Sequence, residues 1–333
     1  MALSGWGASK LLLFGEHAAV YGHPALGIAL PDGVRLHVRP EAGSWHVSGL
    51  PGGYASLLLD LLAHAEGILS RRFGHEAVRA LRGEIRVEAT VPPALGFGSS
   101  AAVCSALARA LLPVLSEKTP TAFEIWELAH AFEVFFHGSP SGIDTGISNL
   151  GGIQAFNFEG GSLPRATSLS SPDLFLLVGA VPRQSDTKHL VARVKAARES
   201  GSQSTKRILE KLGSIAQEAI SVLSHADAAA ASEPVVSHLG RLANAAHSNL
   251  RDLELSNPHL ETVLQAGSDA GAGGGKLSGA GGGGAFFLIF EGAAELRRAE
   301  AAVRPILEGI AHDLPLFSYR VVAGDAERVT EAA

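Results

Sequence analysis

The stretch Pro92-Pro93-Ala94-Leu95-Gly96-Phe97-Gly98-Ser99-Ser100-Ala101-Ala102 has the residue types of an anion cradle. Gly96 and Gly98 let the backbone take φ > 0 and come close to a ligand. Ser99 and Ser100 stand where a run of small helix formers begins, so unpaired N–H groups and the positive end of a helix dipole face outward. The stretch matches neither Gly-x-x-x-x-Gly-Lys-Ser/Thr nor Gly-x-Gly-x-x-Gly, so a nucleotide held by it belongs to a different fold. A second tract, Gly271-Ala272-Gly273-Gly274-Gly275-Lys276-Leu277-Ser278-Gly279-Ala280-Gly281-Gly282-Gly283-Gly284, runs directly into the apolar segment Ala285 to Phe290. Composition alone would make it a flexible linker. Its place between a helical stretch and a strand argues instead for close backbone approach to a nucleotide or to the first glycine turn, because ordering so many glycines costs entropy. His130, Glu133 and His137 share one helix face at a metal-ligand spacing, but no further Cys or clustered ligand completes a zinc site. His137 reads more simply as closing the helix C-terminus, where its charge is favoured.

These residues need elements to hold them. Lys10 to Phe14 reads as a buried strand, and Arg35 to Arg39 and Glu84 to Glu88 alternate like half-exposed strands. Tyr54 to Phe73 carries leucines at helical spacing. Ala101 to Leu112 reads as a helix stopped by Pro113, with Val103, Leu107 and Leu111 as its packing row. A third helix opens at Thr121 with a capping box to Glu124 and runs to His137 before Gly138. After the serine-rich stretch 160–171, the spacing predicts a strand at Leu174 to Val178 and helices at Lys206 to Leu223 and Val235 to Leu250. A further helix is N-capped by Asn257 with Pro258 at its first position, another covers Arg297 to Ile310, and a strand covers Ser318 to Val322. Asp144, after a Pro-Ser-Gly turn, is expected in a loop.

Composition bounds the setting. A chain of 333 residues with 46% hydrophobic content supports about two domains. Net charge −6 argues against a nucleic-acid scaffold or a basic membrane-surface protein, though it leaves room for a small, local cationic site. The single cysteine, Cys104, sits among small apolar residues and points to a reducing compartment. No basic leader is apparent, and the run Leu11 to Phe14 is far shorter than the roughly 18 residues of a membrane span. A cytoplasmic protein without nucleic-acid or membrane partners is expected.

Three separated segments together resemble the superfamily of galactokinase, homoserine kinase, mevalonate kinase and phosphomevalonate kinase, the GHMP kinases. Lys10-Leu11-Leu12-Leu13-Phe14-Gly15-Glu16-His17-Ala18-Ala19-Val20-Tyr21-Gly22 resembles the first motif, Pro93 to Ala102 the second, and Lys276 to Gly284 the third. The first of these and His137-Gly138-Ser139-Pro140-Ser141-Gly142-Ile143-Asp144 are most similar to the mevalonate kinases. The resemblance implies an α+β fold of two domains, with the active site in the cleft between them. Residues 1–170 would form an S5-like mixed domain that binds nucleotide, and residues 171–333 a ferredoxin-like domain carrying the third motif.

The implied activity is transfer of phosphate from ATP, with Mg²⁺, to the primary hydroxyl of mevalonate. Asp144 would be the base, and Lys10 beside it would stabilise charge developing on the acceptor oxygen. Ser100 and Glu133 would hold Mg²⁺, which prefers oxygen ligands. Pro93, Gly96, Gly98, Ser99, Ser100, Ala101, Gly279, Gly281 and Gly282 would line the nucleotide. Glu16, His17 and, in Pro182-Arg183-Gln184-Ser185-Asp186-Thr187-Lys188, Thr187 would face the acceptor; the family also allows a homodimer. Taken singly, each charged residue here reads as a solvated side chain or a turn cap; it is the order of the motifs that favours function. Departures from the family pattern are Gly7-Ala8-Ser9 before Lys10, Phe97 for leucine and Ser278 for threonine. Rival acceptors are phosphomevalonate, homoserine and sugars, and rival activities are those of a decarboxylase relative and of a non-catalytic metabolite sensor.

Overall fold

The computed structural model describes residues 3–185, 187–225 and 234–329. From the N-terminus the chain forms β1 (Leu3–Phe14), a short 3-10 turn, β2 (Ala25–Pro40), β3 (His46–Ser48), α1 (Gly52–Phe73), α2 (His75–Arg79) and β4 (Gly83–Ala89). Next come α3 (Ser99–Leu115), α4 (Ala122–His137), α5 (Ile143–Leu150), β5 (Ile153–Asn157), β6 (Arg165–Leu169) and β7 (Leu174–Val181). The remainder is α6 (Thr187–Glu199), α7 (Gln203–Ser224), α8 (Val235–Asp252), α9 (Pro258–Asp269), β8 (Gly274–Leu277), β9 (Gly284–Phe290), α10 (Ala293–Ile310), β10 (Leu316–Val322) and β11 (Asp325–Arg328). The fold is α+β, in agreement with the sequence.

The chain divides into two compact units, each gathered from separated stretches. The first comprises 1–10, 31–93 and 98–151; the second comprises 11–30, 94–97 and 152–333. In place of a single boundary at 170, the units change over between residues 151 and 152, and the chain also crosses between them within β1, within β2 and around residues 94–97.

In the first unit β4 lies antiparallel to the Val34–Pro40 part of β2 and parallel to β3. Alternation decides its faces: Ile85 and Val87 are buried against Val38 and Leu36, while Glu84 and Glu88 stand opposite Arg39 and Arg35 on the solvent side. Helices α3, α4 and α5 pack on one another. The capping box that opens α4 is present, with the Thr121 hydroxyl accepting from Glu124 N–H at 3.2 Å and the Thr121 N–H donating to Glu124 at 2.7 Å. Helix α3 departs from expectation: it continues past Pro113 to Leu115. A proline forfeits one backbone hydrogen bond, but here it falls in the last turn, where buried Leu111 and Leu112 already hold the helix in place. Asp144 also departs from the expected loop and lies in the first turn of α5.

The second unit is built on an antiparallel sheet in the order β11-β10-β7-β9-β8, with α8 and α9 against β8 and α10 against β7. Its centre is apolar on both faces: every residue of β9 is buried. The Ala25–Ile28 part of β2 pairs with β5, which continues the hairpin to β6. Within the second glycine tract, Gly274–Leu277 is the edge strand β8 and not a loop. Burial between α8 and β9 supplies the packing that composition hides.

In the first unit, backbone contact between β1 and α3 fixes where Lys10 lies. A Cβ on Gly7 would fall 1.9 Å from the Ala102 carbonyl oxygen, and one on Gly5 1.9 Å from that of Ala106. The strand therefore rests directly on a helix face of small residues. Gly7→Ala should destabilise the protein by at least about 1–3 kcal/mol, read as a fall in the urea midpoint; an unchanged midpoint would contradict this seating.

Candidate active site

In the first unit, three elements bring Lys10, Ser100, Glu133 and Asp144 together with β1. Lys10 leaves that strand almost fully buried, and its Nζ lies 3.1 Å from Asp144 Oδ2; the Asp144 side chain is 35% exposed. Its stem crosses Gly98, the N-cap of α3, so closely that a Cβ there would fall 2.6 Å from Lys10 Cγ. Gly98 also takes φ 72°, so sterics and backbone conformation both demand glycine. Asp144 is oriented by its helix. Trp126 of α4 donates its Nε1–H to the Gly142 carbonyl at 3.0 Å, and Arg109 of α3 donates to Asn149 Oδ1 at 3.0 Å, so α5 is tied at both ends.

Glu133 is the electrostatic centre of this cluster. It is 1% exposed, and among the described residues neither carboxylate oxygen accepts a hydrogen bond of good geometry; the Thr145 hydroxyl lies close enough to favour its charged form but donates to the Gly142 carbonyl at 3.2 Å. Burial and then the Asp144 carboxylate push its pKa up from 4.5 to about 8, against a lowering by Lys10 and by the Thr145 hydroxyl. His137 sits between the two expected metal ligands, its Nε2 3.3 Å from Ser100 Oγ and 3.9 Å from Glu133 Oε1. A buried carboxylate with vacant lone pairs, next to a hydroxyl at a helix N-terminus, is an oxygen donor set suited to a hard divalent cation. Among the described residues no group of three or more His, Cys, Asp or Glu side chains is arranged to hold a metal. Ser99, Ser100 and Ala101 form the first turn of α3, and Pro93 lies ahead of it.

The second unit gathers the other expected residues. Gly279, Gly281 and Gly282 all take positive φ in the turn between β8 and β9, and Gly96 has φ 98°. A Cβ on Gly96 would fall 3.1 Å from both the Ala285 nitrogen and Arg183 Nη2. His17 has φ 58°, and its Nε2 lies 3.1 Å from the Ala280 carbonyl. A carbonyl only accepts, so Nε2 carries the proton; burial holds the ring's pKa below its ordinary value, which leaves Nδ1 as an acceptor. Glu16 is sealed at 2% exposure, with Lys276 Nζ on its Oε1. Thr187 opens α6 and accepts from Arg183 Nη1; Asp186 lies outside the described residues. Ser278 commits its hydroxyl to the backbone, accepting from Leu12 N–H at 3.0 Å and donating to the Leu12 carbonyl at 2.9 Å.

Comparison with known proteins places the chain in a family. Models described as GHMP kinases N terminal domain and GHMP kinases C terminal match residues 60–152 and 228–306. The mevalonate kinase of Thermococcus onnurineus is 31% identical over 304 residues, covering 84% of this chain and 87% of that protein. The chain belongs to the GHMP kinase family. The mevalonate kinase of Pyrococcus abyssi is 30% identical over 308 residues, covering 85% and 87%. In fold, this GHMP kinase is similar to L. major mevalonate kinase, crystallised in complex with R-mevalonate, with a TM-score of 0.79 at 24% identity over 97% of each chain.

Two residues of this GHMP kinase do more than their sequence context discloses. His137 closes its helix, yet its ring also faces Ser100 and Glu133. Lys276 reads in sequence as part of a glycine tract and the opening of the third motif, with no role of its own, yet it is fully buried on Glu16. A lysine flanked by glycine and leucine in an otherwise uncharged tract is the available signal.

The raised Glu133 pKa has a measurable consequence. Without metal, the folded state keeps a proton on Glu133 that the unfolded chain releases above pH 4.5, so this group's contribution to stability falls from pH 4.5 to about 8 and then levels off. In EDTA, Glu133→Gln should remove that decline, so that its melting temperature relative to the wild type rises between about pH 5 and pH 8. Parallel pH profiles for the two proteins would contradict the assignment.

Proposed function

We propose that this chain is a mevalonate kinase, transferring the γ-phosphoryl group of ATP to the primary hydroxyl of mevalonate to give 5-phosphomevalonate and ADP. The observation that carries the proposal is the Lys10–Asp144 pair at 3.1 Å beside buried Glu133, in a chain about 30% identical to proteins named mevalonate kinase.

Phosphoryl transfer asks a protein mainly for in-line positioning and for compensation of negative charge. The Asp144 carboxylate is partly open to solvent and fixed by α5, a suitable position for receiving the hydroxyl proton as the acceptor oxygen bonds to phosphorus and the bond to the ADP oxygen breaks. Lys10 Nζ, held beside it, stabilises charge on that oxygen. The first turn of α3 presents its unpaired N–H groups to phosphate oxygens, and Gly98 leaves room for the Lys10 stem. Ser100 and Glu133 would hold Mg²⁺, which neutralises charge on the phosphates when bound. Its binding would also supply the partner that the Glu133 oxygens lack. Pro93, Gly96, Ser99, Ala101, Gly279, Gly281 and Gly282 are assigned to the nucleotide, and Glu16, His17 and Thr187 to the acceptor side. His17 would present its Nδ1 lone pair, while Glu16 acts through the backbone corner it anchors. Cys104, fully buried with its thiol pKa pushed up by burial, fits the reducing cytoplasm that we assign to the enzyme.

A coupled ADP-release assay against mevalonate, phosphomevalonate, homoserine and galactose should give turnover with mevalonate first; turnover with another acceptor and none with mevalonate would overturn the proposal. Asp144→Asn should lower kcat by about 10²–10⁴-fold while calorimetry still detects ATP binding. Wild-type kcat in that variant would remove Asp144 from proton transfer.

A further inference from the structure

Lys276 has no exposed surface at all, a rare state for a lysine unless it is paired. It projects from β8, whose register places it opposite Phe287 of β9. Its ammonium donates to Glu16 Oε1 and, at 2.7 Å, to the Leu277 carbonyl, and lies 5.3 Å and 5.9 Å from the ring centres of Phe287 and Phe14. Glu16 is followed at once by His17, whose backbone takes φ 58° and whose ring reaches the Ala280 carbonyl.

We propose that Lys276 is a positioning residue: its sealed ammonium clamps the Glu16–His17 corner to the β8–β9 glycine turn and so sets the His17 imidazole on the acceptor side of the site. The proposal rests on the acceptor-side reading of His17 given above. A turn made of Gly279, Gly281, Gly282 and Gly283 has no side chains with which to fix itself. Backbone hydrogen bonds hold Gly282 to Leu255 and Gln184, and side chains add ties from Ser278 to both backbone groups of Leu12, from His17 to Ala280, and from Lys276 to Glu16. Of these, only the ion pair grips the corner on the residue next to His17.

Stability alone does not account for the pair. Removing two charges from water is costly, and apolar residues of similar volume often do as well or better in a core. Glu16 Oε2 is moreover buried without a hydrogen-bond partner among the described residues, so part of the desolvation cost stands uncompensated. What an ion pair provides that a methionine and a leucine would not is a direction: Nζ fixes one carboxylate oxygen, and with it the φ > 0 corner that follows.

The test uses the full chain with Lys276→Met and the uncharged double variant Glu16→Gln/Lys276→Met. The His17 ring ¹⁵N–¹H correlation is recorded without substrate, and KM for mevalonate and for ATP is measured separately. The double variant should keep a wild-type melting temperature, show a displaced His17 signal, and raise the mevalonate KM about 10–100-fold, the cost of misplacement by about an ångström, with the ATP KM within about twofold. A stable double variant with an unmoved His17 signal and a wild-type mevalonate KM would overturn the proposal. So would a double variant that does not fold, since the pair would then serve the fold alone. If the wild type fails to phosphorylate mevalonate, the functional reading falls by itself and the His17 signal still decides the role of Lys276.

Discussion

The first unit depends on how a buried carboxylate is tolerated. Glu133 is sealed on α4, among the described residues neither of its oxygens accepts a hydrogen bond of good geometry, and a second carboxylate, Asp144, faces the same region. An isolated buried charge is among the most costly arrangements a fold can contain. Two things limit the cost here: Lys10 pairs with Asp144, and Glu133 takes up a proton below about pH 8. The surrounding packing serves that cluster. Gly5 and Gly7 bring β1 onto α3 so that Lys10 arrives over Gly98, while Trp126 and Arg109 hold α5 so that Asp144 meets it.

The second unit solves a different problem, which is to make a stretch of glycines rigid. Burial accounts for part of it: β8 and β9 are wholly buried, and α8 and α9 lie against β8. Polar ties account for the rest. His247 Nε2 faces Glu261 at 2.9 Å, and His247 Nδ1 accepts from Leu277 N–H at 3.4 Å, so the strand entering the turn is held from α8 and α9 as well as from the Leu12 backbone and Glu16. Backbone amides fixed in this way can meet an anion without losing further conformational entropy at the moment of binding.

Much of this is legible in the sequence where a local rule governs. The α4 helix follows from Thr121, Glu124 and Gly138, since a capping box and a terminal glycine are self-contained signals. The α9 start follows in the same way from Asn257 and Pro258, with the Asn257 side chain accepting from Leu260 N–H at 2.9 Å. Non-local packing is not legible. Nothing near Pro113 in sequence reveals that α3 is buried enough to run past it, and the eight-residue helix carrying Asp144 is too short and too dependent on α3 and α4 for periodicity to disclose. Motif order pairs Lys10 with Asp144 and Ser100 with Glu133, but it does not supply the Lys276–Glu16 pair, because two residues 260 positions apart meet only once β1 and β8 have folded.

The metal role proposed for Glu133 turns on its being a carboxylate that burial keeps protonated when no cation is bound. The ¹³C resonance of its side-chain carboxyl, followed by NMR from about pH 4 to about pH 9.5, a range that brackets the ordinary and the raised titration, measures this directly. A midpoint near about 8 in metal-free protein, moving down when Mg²⁺ and ATP are added, is the predicted result. A midpoint near 4.5 that neither Mg²⁺ nor ATP shifts would contradict it.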